Sequence, residues 1–128
     1  VYKVQLSNSK AVEEIKKLNP LNKRVTADSA EPRTINEFKK LGLNIIGAKK
    51  GPDSVEHGLK FLSEEIEEII IDPVRCPNAK REFVGYEIEK DKEGNLKGEY
   101  PDKDNHTIDA CRYGMEDEMI ARGMSILK

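Results

Sequence analysis

The sequence predicts an α/β fold, with one central and largely parallel sheet flanked by helices and a β-hairpin appended to it. Two observations carry this expectation. Strand-like segments alternate through most of the chain with segments whose apolar residues recur every three or four positions, and such an order calls for parallel strands joined by helical crossovers. The length of 128 residues suits one domain with a single core and is too short for two ordinary ones.

The elements follow in order. Val4 and Leu6 alternate at period two, so residues 1–6 read as a strand entered without a lead-in. Asn8 or Ser9 can cap a helix that turns Ala11, Ile15 and Leu18 inward and ends before Pro20. Residues 24–28 read as a short strand. Pro32 suits the first position of a helix, whose Ile35, Phe38 and Leu41 share a face until Gly42 stops it. Residues 43–48 read as the next strand. Asp53-Ser54-Val55-Glu56 has the form of a capping box, opening a helix with Val55, Leu59 and Leu62 on one side. The β-branched Ile69, Ile70 and Ile71 favour a strand over residues 66–71. Pro77 opens a helix through Phe83. A charged hairpin over residues 86–90 and 96–100 turns at residues 91–95 around Gly94, and a last helix starts near Asn105 with Ile108, Cys111, Met115 and Met119 inward.

Composition narrows the function classes. Hydrophobic residues make up 37% and charged residues 36%, as in a globular protein with a charged surface, and no run of about 18 apolar residues is present to span a membrane. No signal peptide is recognisable. A net charge of −2 does not favour binding nucleic acid by bulk electrostatics, so any contact with it must be local. Cys76 and Cys111 form neither a zinc-type pair nor a disulfide framework and read as reduced, half-buried thiols.

Two segments could carry chemistry. Asp28 closes its predicted strand at the C-terminal end, where open α/β sheets place binding residues, although an Asp there also caps a turn before a proline. His106 and Asp109 stand at i and i+3 at the start of the last helix and project from one face; the same pair would arise as a surface His and an Asp that complements the helix dipole. A strand-end Asp and a first-turn Asp can converge on a divalent cation, and hard oxygen ligands suit Mg²⁺ or Mn²⁺. His106 could add a ligand or move a proton. Lys49 and Lys50 lie in the loop after the following strand, where they would either contact a DNA backbone or simply be solvated. Arg112 could orient a carboxylate through a bidentate pair. Tyr113 reads as core or rim.

Ala27-Asp28-Ser29-Ala30-Glu31-Pro32 and the stretch Asn105-His106-Thr107-Ile108-Asp109-Ala110-Cys111-Arg112-Tyr113 together resemble the nuclease domain of the large terminase subunit of tailed bacteriophages. In that family an acidic residue ends a strand in a D-S-A-E-P-like turn, and a late helix opens with an N-H-x-x-D-A-x-R-Y pattern. Lys49-Lys50-Gly51-Pro52-Asp53-Ser54 is similar to its K-G-x-D-S turn. The resemblance implies a ribonuclease-H-like fold and a two-metal endonuclease, with Mg²⁺ or Mn²⁺, that cuts concatemeric double-stranded DNA during genome packaging by a phage or prophage. It also implies partners, namely an upstream ATPase domain, the small terminase subunit and the portal, and the cytoplasm of the infected or lysogenic host as the setting.

Residue by residue, Asp28 matches the family's second acidic ligand, Asp109 the third, and His106 the histidine beside it. The first ligand belongs to the opening strand of the sheet, ahead of the start of this chain, and no G-x-x-x-x-G-K-[ST] loop occurs in it. Residues 1–128 are therefore expected to be a nuclease domain lacking its opening strand or strands and the ATPase domain. Such a chain should cut DNA poorly and self-associate through the bare edge of residues 1–6. Glu31, Asp53, Asp102 and Asp104 are further acidic candidates that capping or solvation would equally explain. Rival readings are a junction resolvase or an RNA-strand-cutting enzyme of the same fold, and a non-catalytic module that docks DNA or the motor. The hairpin could border a DNA groove.

Overall fold

The structure is a computed structural model that describes residues 5–49, 51, 53–86, 92–94, 100 and 102–123. Helix α1 spans Asn8–Leu18 and is capped by Ser7, whose hydroxyl accepts the Lys10 N–H at 3.3 Å, one residue earlier than expected. It buries Val12, with Ile15 against the same core, while Leu18 points out. Asn19 then closes the turn after α1 by bonding both the N–H and the C=O of Lys23.

Strand β1, Val25–Ala27, pairs in parallel with β2, Ile45–Gly47, in the register Val25↔Ile45 and Ala27↔Gly47. The crossover between them is α2, Pro32–Lys40, with Pro32 in its first turn as expected. Gly42 ends it in the left-handed region at φ +92°, a conformation that costs a side-chain-bearing residue more. Asn22, also left-handed, donates to Gly42 O and accepts the Asn44 N–H, tying the turn before β1 to the turn before β2. Val12, Ile35, Leu43 and Ile45 form the core of this layer, with Val25, Phe38 and Leu41 packed on it.

Beyond the sheet the chain is helical. Helix α3, Ser54–Lys60, runs on through a π-helical turn, Phe61–Glu65. The expected capping box is not formed: Asp53 sits at φ +62° and makes no side-chain cap bond, because capping needs an extended N-cap residue. Val55 is exposed, while Leu59 is buried and Leu62 packs beside a second cluster built on Phe61 and Met119, where Ile66 and Met115 also join.

Residues 66–71 form no strand, in contrast to their β-branched composition. A strand exists only with a hydrogen-bonded neighbour, and the described sheet consists of β1 and β2. Ile70 stands 83% exposed there, next to a run in which Glu64, Glu65, Glu67 and Glu68 repel one another.

Helix α4, Pro77–Gly85, extends two residues past its expected end. The expected last helix is two helices, α5 at His106–Gly114 and α6 at Glu116–Ala121, separated at Met115. Gly114 disfavours continuation, and Glu116, Asp117 and Glu118 suit the positive N-terminal end of a new helix. Ile108 and Met119 face inward as expected and Cys111 is half-buried, but Cys76 is exposed.

Most of the hairpin and residues 1–4 of the opening strand lie outside the described residues; residues 5 and 6 are irregular, with Gln5 at φ +54°. Helix α5 packs on both β1 and α4. Among the described residues no helix is long and apolar enough to cross a membrane.

Candidate functional site

Asp28 immediately follows β1, at the C-terminal edge of the parallel pair. Its Oδ1 accepts the Ala30 N–H at 2.9 Å, an Asx turn that bends the chain toward Pro32. Beside it, the Ala48 N–H donates to Ala27 O at 2.6 Å, so the loop bearing Lys49 leaves the sheet next to the turn bearing Asp28. Lys49 has an exposed side chain, and its N–H donates to Glu116 Oε1 at 2.8 Å. Lys50 lies outside the described residues.

His106 is the first residue of α5 and is exposed; Asp109 is in the same first turn. Arg112 Nη2 donates to Asp109 Oδ1 at 2.8 Å, a single bond where the sequence suggested a fork. With side chains only 8% and 29% exposed for Arg112 and Asp109, this pair is less screened than a surface ion pair. The Arg112 stem fits only because α3 has no side chain at Gly58, where a Cβ would meet Arg112 Cδ at 2.7 Å. The guanidinium also lies over the Tyr113 ring, 5.1 Å from its centroid.

Three residues near the site, Glu82, Tyr86 and Tyr100, had no site role in the sequence reading. Glu82 of α4, 1% exposed, accepts the Thr107 N–H at 2.6 Å and the Thr107 hydroxyl. The residue preceding α5, Asn105, makes no side-chain cap bond to it and donates instead to Asp102 Oδ1 at 3.4 Å. Tyr86 and Tyr100, assigned by pattern to the hairpin, belong to the surroundings of the acidic end. Burial raises the Tyr86 hydroxyl above its ordinary range, as do the charges of Asp109 and Asp102, against Arg112. Burial also raises Tyr100, followed by Glu56, Asp53 and Tyr86. Only contacts across the fold mark these three, so no local spacing could have found them.

Glu116 is buried, and burial pushes its carboxyl above the usual carboxylate range although the Lys49 N–H and charge pull it down. A carboxyl raised on folding contributes stability that is full below its unfolded value and is lost as pH rises through its folded value. Glu116→Gln keeps an acceptor for the Lys49 N–H and removes the buried charge. It should therefore be at least as stable as the wild type at pH 7, with an advantage that shrinks on acidification toward about pH 4.5. Thermal melts of both proteins across this range check it, and an advantage that grew on acidification would contradict it.

Among the described residues no group of three or more His, Cys, Asp or Glu side chains could hold a metal ion. The chemistry of the donors nonetheless fits a hard cation. Mg²⁺ is commonly held by one or two carboxylates, completing its shell with water and substrate phosphate, and Asp28 and Asp109 stand on elements adjacent to that pattern, since α5 packs on β1.

Comparison with known proteins agrees with this architecture. The family described as Terminase RNAseH like domain matches residues 1–117. The chain is 51% identical over 105 residues to the large terminase subunit of Bacillus phage SPP1, covering 80% of this chain and 25% of that protein. It is 29% identical over 120 residues to the PBSX phage terminase large subunit of Bacillus subtilis, covering 94% and 27% respectively. It thus spans about a quarter of the length of these curated relatives. The nuclease domain of the bacteriophage SPP1 large terminase, whose crystal structure has bound Mn, superposes with a TM-score of 0.80 at 45% identity, over 93% of this chain and 68% of that one. The ribonuclease-H-like fold expected from the Asp28 turn and the α5 motif is the fold of this chain, and the chain belongs to the terminase RNase H-like domain family.

Proposed function

We propose that this chain forms the nuclease part of a phage or prophage large terminase subunit, which cuts concatemeric double-stranded DNA with Mg²⁺ or Mn²⁺ during genome packaging. The observation that carries the reading is the packing of α5, with His106 and Asp109 in its first turn, on β1, the strand that Asp28 immediately follows. A relative 45% identical to this chain is a nuclease domain with bound Mn. In the packaging machine, the small terminase subunit, the portal and an ATPase domain are the proposed partners.

Asp28 and Asp109 would hold the cations, and Arg112 fixes the Asp109 carboxylate through its Oδ1. His106 accepts or passes a proton at its imidazole. Lys49, in the loop beside the acidic edge, and Lys50, next to it in sequence, meet the DNA backbone, a local positive contact in a chain of net charge −2. When bound, a pair of divalent cations supplies activation of the attacking water and stabilisation of the leaving oxygen.

Incubating supercoiled plasmid with a whole large terminase subunit that contains this domain, the proposed parent, and with this chain, each with Mn²⁺, Mg²⁺ or EDTA, tests the reading. Nicked and linear products that require the metal are expected, stronger from the parent than from this chain. Intact plasmid after incubation of the parent with Mn²⁺, or cutting that survives EDTA, would overturn it.

A further inference from the structure

We propose that Glu82 is a positioning residue that caps α5 from a neighbouring helix and so sets where His106 and Asp109 project. The inference rests on the metal-dependent reading above and extends it to a residue outside the motifs.

The first N–H groups of a helix have no partner within the helix and need an acceptor from elsewhere. Asn105 makes no side-chain cap bond to α5, so that need is met across 25 residues of sequence by Glu82, which takes both donors of Thr107. A carboxylate that is 1% exposed is costly unless hydrogen-bonded, and an apolar side chain would pack there at less cost. Two hydrogen bonds to the carboxyl at the positive end of a helix offset that cost and hold the first turn rigidly. That turn carries both candidate site residues, one on each side of Thr107 in sequence. Arg112 restrains Asp109 from the following turn, so the carboxylate is held from two directions.

Mn²⁺ titration followed by electron paramagnetic resonance reads binding without relying on activity. Glu82→Ala is expected to weaken Mn²⁺ binding by about 10- to 100-fold, the range seen when partners behind metal ligands are removed. Glu82→Gln, which keeps an acceptor for the Thr107 N–H, should recover most of the loss, and in cleavage assays the Ala variant should lose kcat more than KM. Glu82→Ala that binds Mn²⁺ like the wild type, or a Gln variant as impaired as the Ala variant, overturns the proposal while leaving the nuclease reading intact. A parent protein that neither binds Mn²⁺ nor cuts DNA overturns the nuclease reading and this proposal with it. Should Glu82→Ala not fold, Thr107→Ala decides instead, because it deletes one donor and leaves the carboxylate in place. A roughly tenfold weaker binding supports the proposal, and unchanged binding overturns it.

Discussion

Asp109→Asn is expected to lower Mn²⁺-dependent cleavage on the order of a hundredfold or more, with little change in the fold. Asn keeps an oxygen that can accept the Arg112 Nη2 hydrogen bond, so the contact at 2.8 Å survives while the charge needed to hold a divalent cation is lost. Metal-derived charge stabilisation is worth several kcal/mol, and each 1.36 kcal/mol is tenfold in rate, so losing much of it brings the rate down by at least about two decades. Asp28→Asn should behave alike, because its Oδ1 can still accept the Ala30 N–H that shapes the turn. Alanine at position 109 is a poorer test. It would strand a buried guanidinium, and breaking such a pair is itself destabilising. Initial rates on plasmid DNA in a Mn²⁺ titration, with thermal melts as a control for folding, measure the effect. Rates within a fewfold of wild type for both Asn variants would remove these carboxylates from the site.

The contrast between these aspartates and Glu82 shows what could be read in the sequence. Asp28 lies between a strand and a proline-initiated helix, and Asp109 stands three residues after His106, so local spacing exposes both. The β1–α2–β2 unit was legible for the same reason: Pro32, the Ile35 and Phe38 face, and Gly42 are signals within one crossover. Glu82 has no such signature. It is one charge among several in α4, and only the packing of α4 on α5 gives it a partner. The failures have the same origin. Residues 66–71 carry strand propensity, but pairing depends on a neighbour that propensity does not encode. The Asp53 box has the right residues on a left-handed backbone, and the inward stripe through Met115 and Met119 continues across a helix break that leaves its hydrophobic period nearly intact.

Phe61→Ala should be the most destabilising single change in the second cluster, at about 3–5 kcal/mol. Phe61 is 0% exposed and packs on Met119, with Leu62, Ile66 and Met115 around them, so truncation leaves a cavity walled by side chains from the π-helical turn and its exit on one side and from α6 and Met115 on the other. The ring also faces Arg122, whose guanidinium is 5.5 Å from its centroid, and that attraction is lost with it. Against a typical total of about 5–15 kcal/mol, this is a large fraction, and for a chain of this length it corresponds to a fall in Tm of roughly 10–20 °C. The consequence reaches the site, because α6 begins with Glu116, whose carboxylate holds the Lys49 N–H at 2.8 Å. Loosening α6 should therefore free the lysine loop before it disturbs the β1–α2–β2 layer, whose core is a separate cluster. Thermal and urea unfolding measure the first effect, and amide exchange measures the second. Exchange at Lys49 should rise well before exchange at the paired residues of β1 and β2. A loss under about 1 kcal/mol, or equal acceleration in both places, would show that the two clusters unfold as one and that Phe61 is not the support of α6.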